Sequence, residues 1–104
     1  PAARATIAAN VAALGLGDRA QVVGLPAAAA LSGVEPFDLV LLDPPYAFDG
    51  WDDLLARVAE RLGDGGVVVV ESDREVPVPP PFVCLRARRY GGTVVTFATP
   101  GAHP

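Results

Sequence analysis

Apolar residues recur along this chain in several rhythms, and each rhythm predicts a different element. Over residues 2–14, Ile7, Val11 and Leu14 stand at i, i+4 and i+7 among alanines, the spacing of one helix face. Gly15 then reads as the C-terminal cap, with Leu16 supplying an apolar contact just beyond it. The β-branched run AQVVGL, 20–25, predicts a strand, and Pro26 at the head of PAAAAL, 26–31, suits the first turn of a short helix. FDLVLLD, 37–43, and VVVVE, 67–71, are apolar without alternation, as in parallel strands covered on both faces. Between them Trp51, Leu54, Leu55, Val58 and Leu62 form the stripe of an amphipathic helix. Asp49 is its expected N-cap, Asp53 and Arg57 pair at i,i+4, and Gly63 closes it.

The last third changes character. VPVPPP, 76–81, fits neither helix nor central strand and predicts an extended connector. FVCLRARRY and TVVTFAT then flank Gly91-Gly92, the pattern of a tight hairpin with a type I′ turn. Helices alternating with strands and followed by a hairpin imply an α/β fold, a mostly parallel sheet ending antiparallel, within one domain over 1–104. Sites in such sheets lie beyond the carboxyl ends of the strands, where Asp43 and Glu71 both stand.

Composition narrows the chemistry. The only cysteine, Cys84, excludes an internal disulfide or a cysteine-based zinc site and reads as a small buried hydrophobe. The only histidine, His103, sits one residue from the end, which removes the usual general base; no metal site is expected. No apolar run approaches the ~20 residues of a membrane span and no signal peptide is visible, so a cytoplasmic protein is expected. The chain has no methionine and opens on Pro1 within a predicted helix, so it is expected to be the C-terminal part of something longer. A net charge of −4 argues against wholesale wrapping of nucleic acid. Yet acidic residues stop at Glu75, and Arg86, Arg88 and Arg89 follow as a small basic patch able to meet phosphates locally.

The most specific stretch is DPPY, 43–46. Each proline fixes its own φ and keeps the residue before it out of the helical region. Pro44 thereby holds Asp43 extended, and Pro45 does the same to Pro44. The Asp43 carboxylate and the Pro44 carbonyl can both accept hydrogens from one planar amino group, while Tyr46 offers a ring on which a flipped base can stack. An exocyclic amine is a poor nucleophile because its lone pair is delocalised. Two fixed acceptors draw its hydrogens, concentrate density on nitrogen and aim it, which is catalysis by position and electrostatics. Asp43 either takes the proton afterwards or only orients the amine.

These pieces together resemble the C-terminal two-thirds of the RsmD-type small-subunit rRNA guanine-N2 methyltransferases. The matching segments are ANVAALGL at 9–16, FDLVLLDPPYA at 37–47, GGVVVVE at 65–71 and RRYGGT at 88–93. The resemblance implies a class I (Rossmann-like) methyltransferase fold whose N-terminal strands lie outside this chain, with S-adenosylmethionine as cofactor. It implies that Asp43, Pro44, Pro45 and Tyr46 orient the amine and stack the base. The segment at Gly24, Leu25 and Pro26 would border the cofactor adenine through backbone or apolar contact, since GLPAAA lacks the acidic or amide side chain common there. Glu71 either supports the site or caps its strand. The implied partner is ribosomal RNA or a small-subunit assembly intermediate, met by a monomer in full-length form. Adenine-N6 methylation and a non-catalytic paralogue are the alternatives. The glycine-rich loop after the fold's first strand is absent, so this chain alone is expected to be inactive.

Overall fold

The computed structural model describes residues 2–31, 36–45 and 47–101. The chain divides into two units, Pro1–Ala30 and Leu31–Pro104.

In the first unit, α1 spans Ala2–Ala13 and α2 spans Ala27–Ala30. The end of α1 is set at Gly15: its N–H donates to the Ala12 carbonyl (3.1 Å) and Leu16 N–H to the Val11 carbonyl (3.0 Å). This pair of bonds is a Schellman stop, and Val11 and Leu16 are half-buried where their neighbours are exposed. No residue of α1 is buried; Ile7 and Leu14 are 50% and 72% exposed. The strand expected over 20–25 does not form, and every residue of that segment is exposed. A short β-branched run becomes a strand only when a neighbouring strand takes its backbone groups, and none within this unit does.

The second unit is built on a four-stranded sheet. β1 is Phe37–Leu42, α3 Trp51–Arg61, β2 Leu62–Ser72, β3 Phe82–Tyr90 and β4 Thr93–Pro100. The strand order is β1-β2-β4-β3. β1 and β2 are parallel, with Leu39 to Leu42 opposite Val67 to Val70, and β4 pairs antiparallel with both β2 and β3. Leu55 and Val58 of α3 pack against Val68, Val70 and Ala98, all fully buried, with Val76 and Phe82 closing the cluster. This covered face reflects the strict alternation of β2 and β4, in which Val68, Val70, Val94, Thr96 and Ala98 point inward. On the opposite face Leu39 and Leu41 are exposed, and Val67, Val69, Val95 and Phe97 are half-buried. No helix among the described residues is long and apolar enough to cross a membrane.

Several local expectations are corrected. The N-cap of α3 is Gly50, not Asp49, and no side chain caps it. The helix ends at Leu62, which turns directly into β2, so Gly63 is not its stop. Only Gly91 of the hairpin pair has positive φ (61°), which fits a type II′ turn; type I′ needs both central residues there. Cys84 is exposed because β3 is the sheet edge and extends past the cover of α3. The proline connector contributes to the core: Val76 is buried and Val78 packs against the cluster. The Asp53–Arg57 pair forms as expected, at 3.2 Å.

Candidate functional site

The parallel direction of β1 and β2 brings their carboxyl ends to one end of the sheet. Leu42 stands opposite Val70, so Asp43, one residue on, comes level with Glu71 on the next strand. Adjacent strands are about 4.8 Å apart, which places these two carboxylates side by side at the end of the sheet. Asp43 is exposed, Pro44 half-buried and Pro45 exposed, while Glu71 is half-buried within β2. Tyr46 lies outside the described residues. An accessible carboxylate on a stiffened, extended segment past the carboxyl end of a parallel strand is the arrangement that an incoming amine needs.

Phe48 and Trp51, just past the prolines, lock this segment in place. Phe48 N–H donates to the Pro45 carbonyl (2.9 Å), so that carbonyl is occupied; no such bond takes the Pro44 carbonyl among the described residues. The Phe48 ring meets Trp51 edge-on, with centroids 5.1 Å apart and planes at 85°. Such an edge-to-face pair contributes roughly 0.5–1.5 kcal/mol beyond area burial. Trp51 itself packs against the core of α3 and the sheet. The fit at Gly50 is tight: a Cβ there would stand 3.0 Å from the Phe48 ring, which would have to give by a few tenths of an ångström. Phe48, Gly50 and Trp51 thus tie the loop after Asp43 to the helix that packs under the sheet. Helical periodicity assigns Trp51 only to the core stripe and gives Phe48 no role. Two aromatics three residues apart across a glycine are the signal in the sequence that marks them as a pair.

Beside Glu71 stands buried Ser72, whose hydroxyl donates to Asp73 (3.4 Å). Asp73 also accepts from Arg74 Nε at 3.0 Å. The Arg74 hydrogen bond is the main cause that holds the Asp73 carboxyl below its ordinary range, and the same bond raises Arg74.

The three arginines of β3 do not form one patch. Arg86 and Arg88 stand opposite Phe97 and Val95 of β4, whereas Arg89 stands opposite Val94 on the face that α3 covers. All three are exposed. Gly24, Leu25 and Pro26 belong to the other unit, where the Arg4 guanidinium packs over Gly24 and the Pro26 carbonyl accepts from Ala29 and Ala30. They present backbone and apolar surface. That fits the edge of an adenine and supplies no side-chain partner for the ribose, ammonium or carboxylate of S-adenosylmethionine.

Residues 1–99 match the model of the family described as Conserved hypothetical protein 95, the RsmD-like family. The chain belongs to this family. Its fold is shared with the yhhF protein of Escherichia coli, described as a candidate methyltransferase, at a TM-score of 0.80 and 24% identity over 96% of this chain and 58% of that one. A conserved hypothetical protein of Streptococcus pyogenes matches at a TM-score of 0.81 and 28% identity, covering 98% of this chain and 68% of that one. The release factor glutamine methyltransferase of Bradyrhizobium diazoefficiens is 34% identical in an alignment covering 64% of this chain and 31% of that protein. The fold is therefore that of the class I methyltransferases. The chain spans less than two thirds of the Escherichia coli structure and about a third of the glutamine methyltransferase.

Proposed function

We propose that the full-length protein transfers a methyl group from S-adenosylmethionine to the exocyclic N2 amine of a guanine in small-subunit ribosomal RNA. The observation that carries this reading is the exposed Asp43 on a proline-stiffened segment at the carboxyl end of β1, inside a chain of the RsmD-like family. The cofactor supplies the electrophilic methyl group and is left as the thioether. What this chain contributes is the acceptor side. Asp43 and the Pro44 carbonyl accept hydrogen bonds from the two N–H groups of the amine and hold its plane, so that the nitrogen lone pair projects out of that plane toward the methyl group. One proton then leaves the nitrogen, to Asp43 or to water. Tyr46 stacks the flipped base, and the Phe48–Trp51 pair keeps the loop from drifting. Gly24, Leu25 and Pro26 border the adenine of the cofactor. The enzyme works as a monomer in the cytoplasm.

The likeness to a release factor glutamine methyltransferase favours one second reading, in which the acceptor is the side-chain amide of a glutamine. An amide nitrogen is planar and delocalised like a guanine amine, and the same two acceptors serve it. Product identity separates the readings. Full-length protein, labelled methyl donor and small-subunit ribosomal RNA are incubated, and the RNA is digested to nucleosides. Label in N2-methylguanosine supports the proposal. Label in N6-methyladenosine, or in a glutamine-containing protein and not in RNA, overturns it.

A further inference from the structure

The bulge in β3 sorts its side chains in a way that simple alternation along the sequence would not. Cys84 stands opposite Ala98 and so shares the face covered by α3. By alternation alone, Arg86 and Arg88 would continue on that face. The register instead slips between Cys84 and Arg86, at Leu85, and an extra residue of this kind re-aims everything after it. Arg86, Arg88 and Tyr90 consequently come opposite Phe97, Val95 and Thr93, on the face away from α3, and Arg89 is left behind on the other side. Tyr90 is 60% exposed.

The same register places this strip at the catalytic end of the sheet. Leu42, Val70, Thr96 and Ala87 form one transverse row across β1, β2, β4 and β3. One step toward the carboxyl end of β1 and β2, the row runs from Asp43 through Glu71 and Val95 to Arg88. Its ends are three strands apart, roughly 14 Å. Carboxylates occupy one end and guanidinium groups the other, with uncharged Thr93, Val95 and Phe97 beside the arginines. A substrate that carries both an amine and phosphates has only one favourable orientation over such a row. The amine goes to the carboxylates, which repel phosphate, and the backbone is drawn to the arginines.

We propose that Arg86, Arg88 and Tyr90 form a nucleic-acid-contacting strip. The arginines take the phosphates of nucleotides flanking the target, Tyr90 stacks on a neighbouring base, and Arg89 takes no part. This rests on the RNA-substrate reading above. It is tested by fluorescence anisotropy of full-length protein with a small-subunit ribosomal RNA transcript across a salt series, without methyl donor. Arg86→Ala and Arg88→Ala should each weaken binding several-fold and lower the slope of log affinity against log salt by about 0.7–0.9. Tyr90→Ala should weaken binding roughly tenfold at unchanged slope, because stacking releases no counterion. Arg89→Ala should change neither quantity, and Arg88→Lys should keep the slope, which separates lost charge from lost folding. Equal slopes for Arg88→Ala and the parent protein overturn the strip, as does an Arg89→Ala loss as large as that of Arg88→Ala. If the slopes are equal while N2-methylguanosine still forms, the strip alone is wrong. If the parent protein neither binds nor methylates the RNA, both readings fall.

Discussion

The units Pro1–Ala30 and Leu31–Pro104 both carry apolar residues at regular spacing, with opposite results. In the first, Ile7 and Leu14 mark a clear helix face and remain exposed, and the run over 20–25 makes no strand. In the second, Leu55, Val58, Val68 and Val70 reach full burial because helix and sheet present matching faces to one another. The helix of the first unit needs only local bonds and a Schellman stop. A strand needs a neighbour. Periodicity alone therefore predicts a helix more safely than a strand, and it does not predict burial.

The largest expected effect breaks that comparison if it is misjudged. Leu55→Ala should cost about 2–5 kcal/mol in urea unfolding, because it empties a site with 0% exposure. Ile7→Ala, at 50% exposure, should stay within about 0.5 kcal/mol. Similar losses from both would show that Ile7 is as well packed as Leu55. Val22→Pro should likewise leave unfolding unchanged, since residue 22 donates to no strand. Next in size is Gly91→Ala, expected to cost about 1–2 kcal/mol by forcing a side chain into the left-handed region at φ 61°. Arg57→Ala should cost about 0.3–0.5 kcal/mol at low salt, because the pair with Asp53 is solvent-exposed.

The smallest effect concerns acid. The folded Asp73 carboxyl lies below its unfolded value because Arg74 hydrogen-bonds to it. Its contribution is thus complete above the unfolded value and is lost as pH falls through the folded one. Asp73→Asn should lower stability slightly at neutral pH and converge with the parent protein at low pH, which flattens the acid limb of a stability–pH curve.

Much of the second unit was legible from residues. The apolar runs at 37–43 and 67–71 became β1 and β2, the stripe from Trp51 to Leu62 became α3, and Gly91-Gly92 became the hairpin corner. The stop at Gly63 failed because the chain passes straight from helix to strand at Leu62, with no left-handed residue between them. Asp49 failed as a cap because the helix starts one residue later, with Gly50 at the N-cap. The placement of Asp43 beyond β1 was legible in DPPY itself. The separation of Arg86 and Arg88 from Arg89 was not, since it depends on a one-residue bulge that only the pairing with β4 reveals.

In the proposed reaction Asp43 holds the amine that accepts the methyl group. The most direct measurement of this role is single-turnover methyl transfer to small-subunit ribosomal RNA by the full-length protein and its Asp43→Ala variant, with circular dichroism on both. The rate should fall roughly a hundredfold or more with the fold unchanged. A variant that folds and transfers methyl at the parent rate would contradict that role.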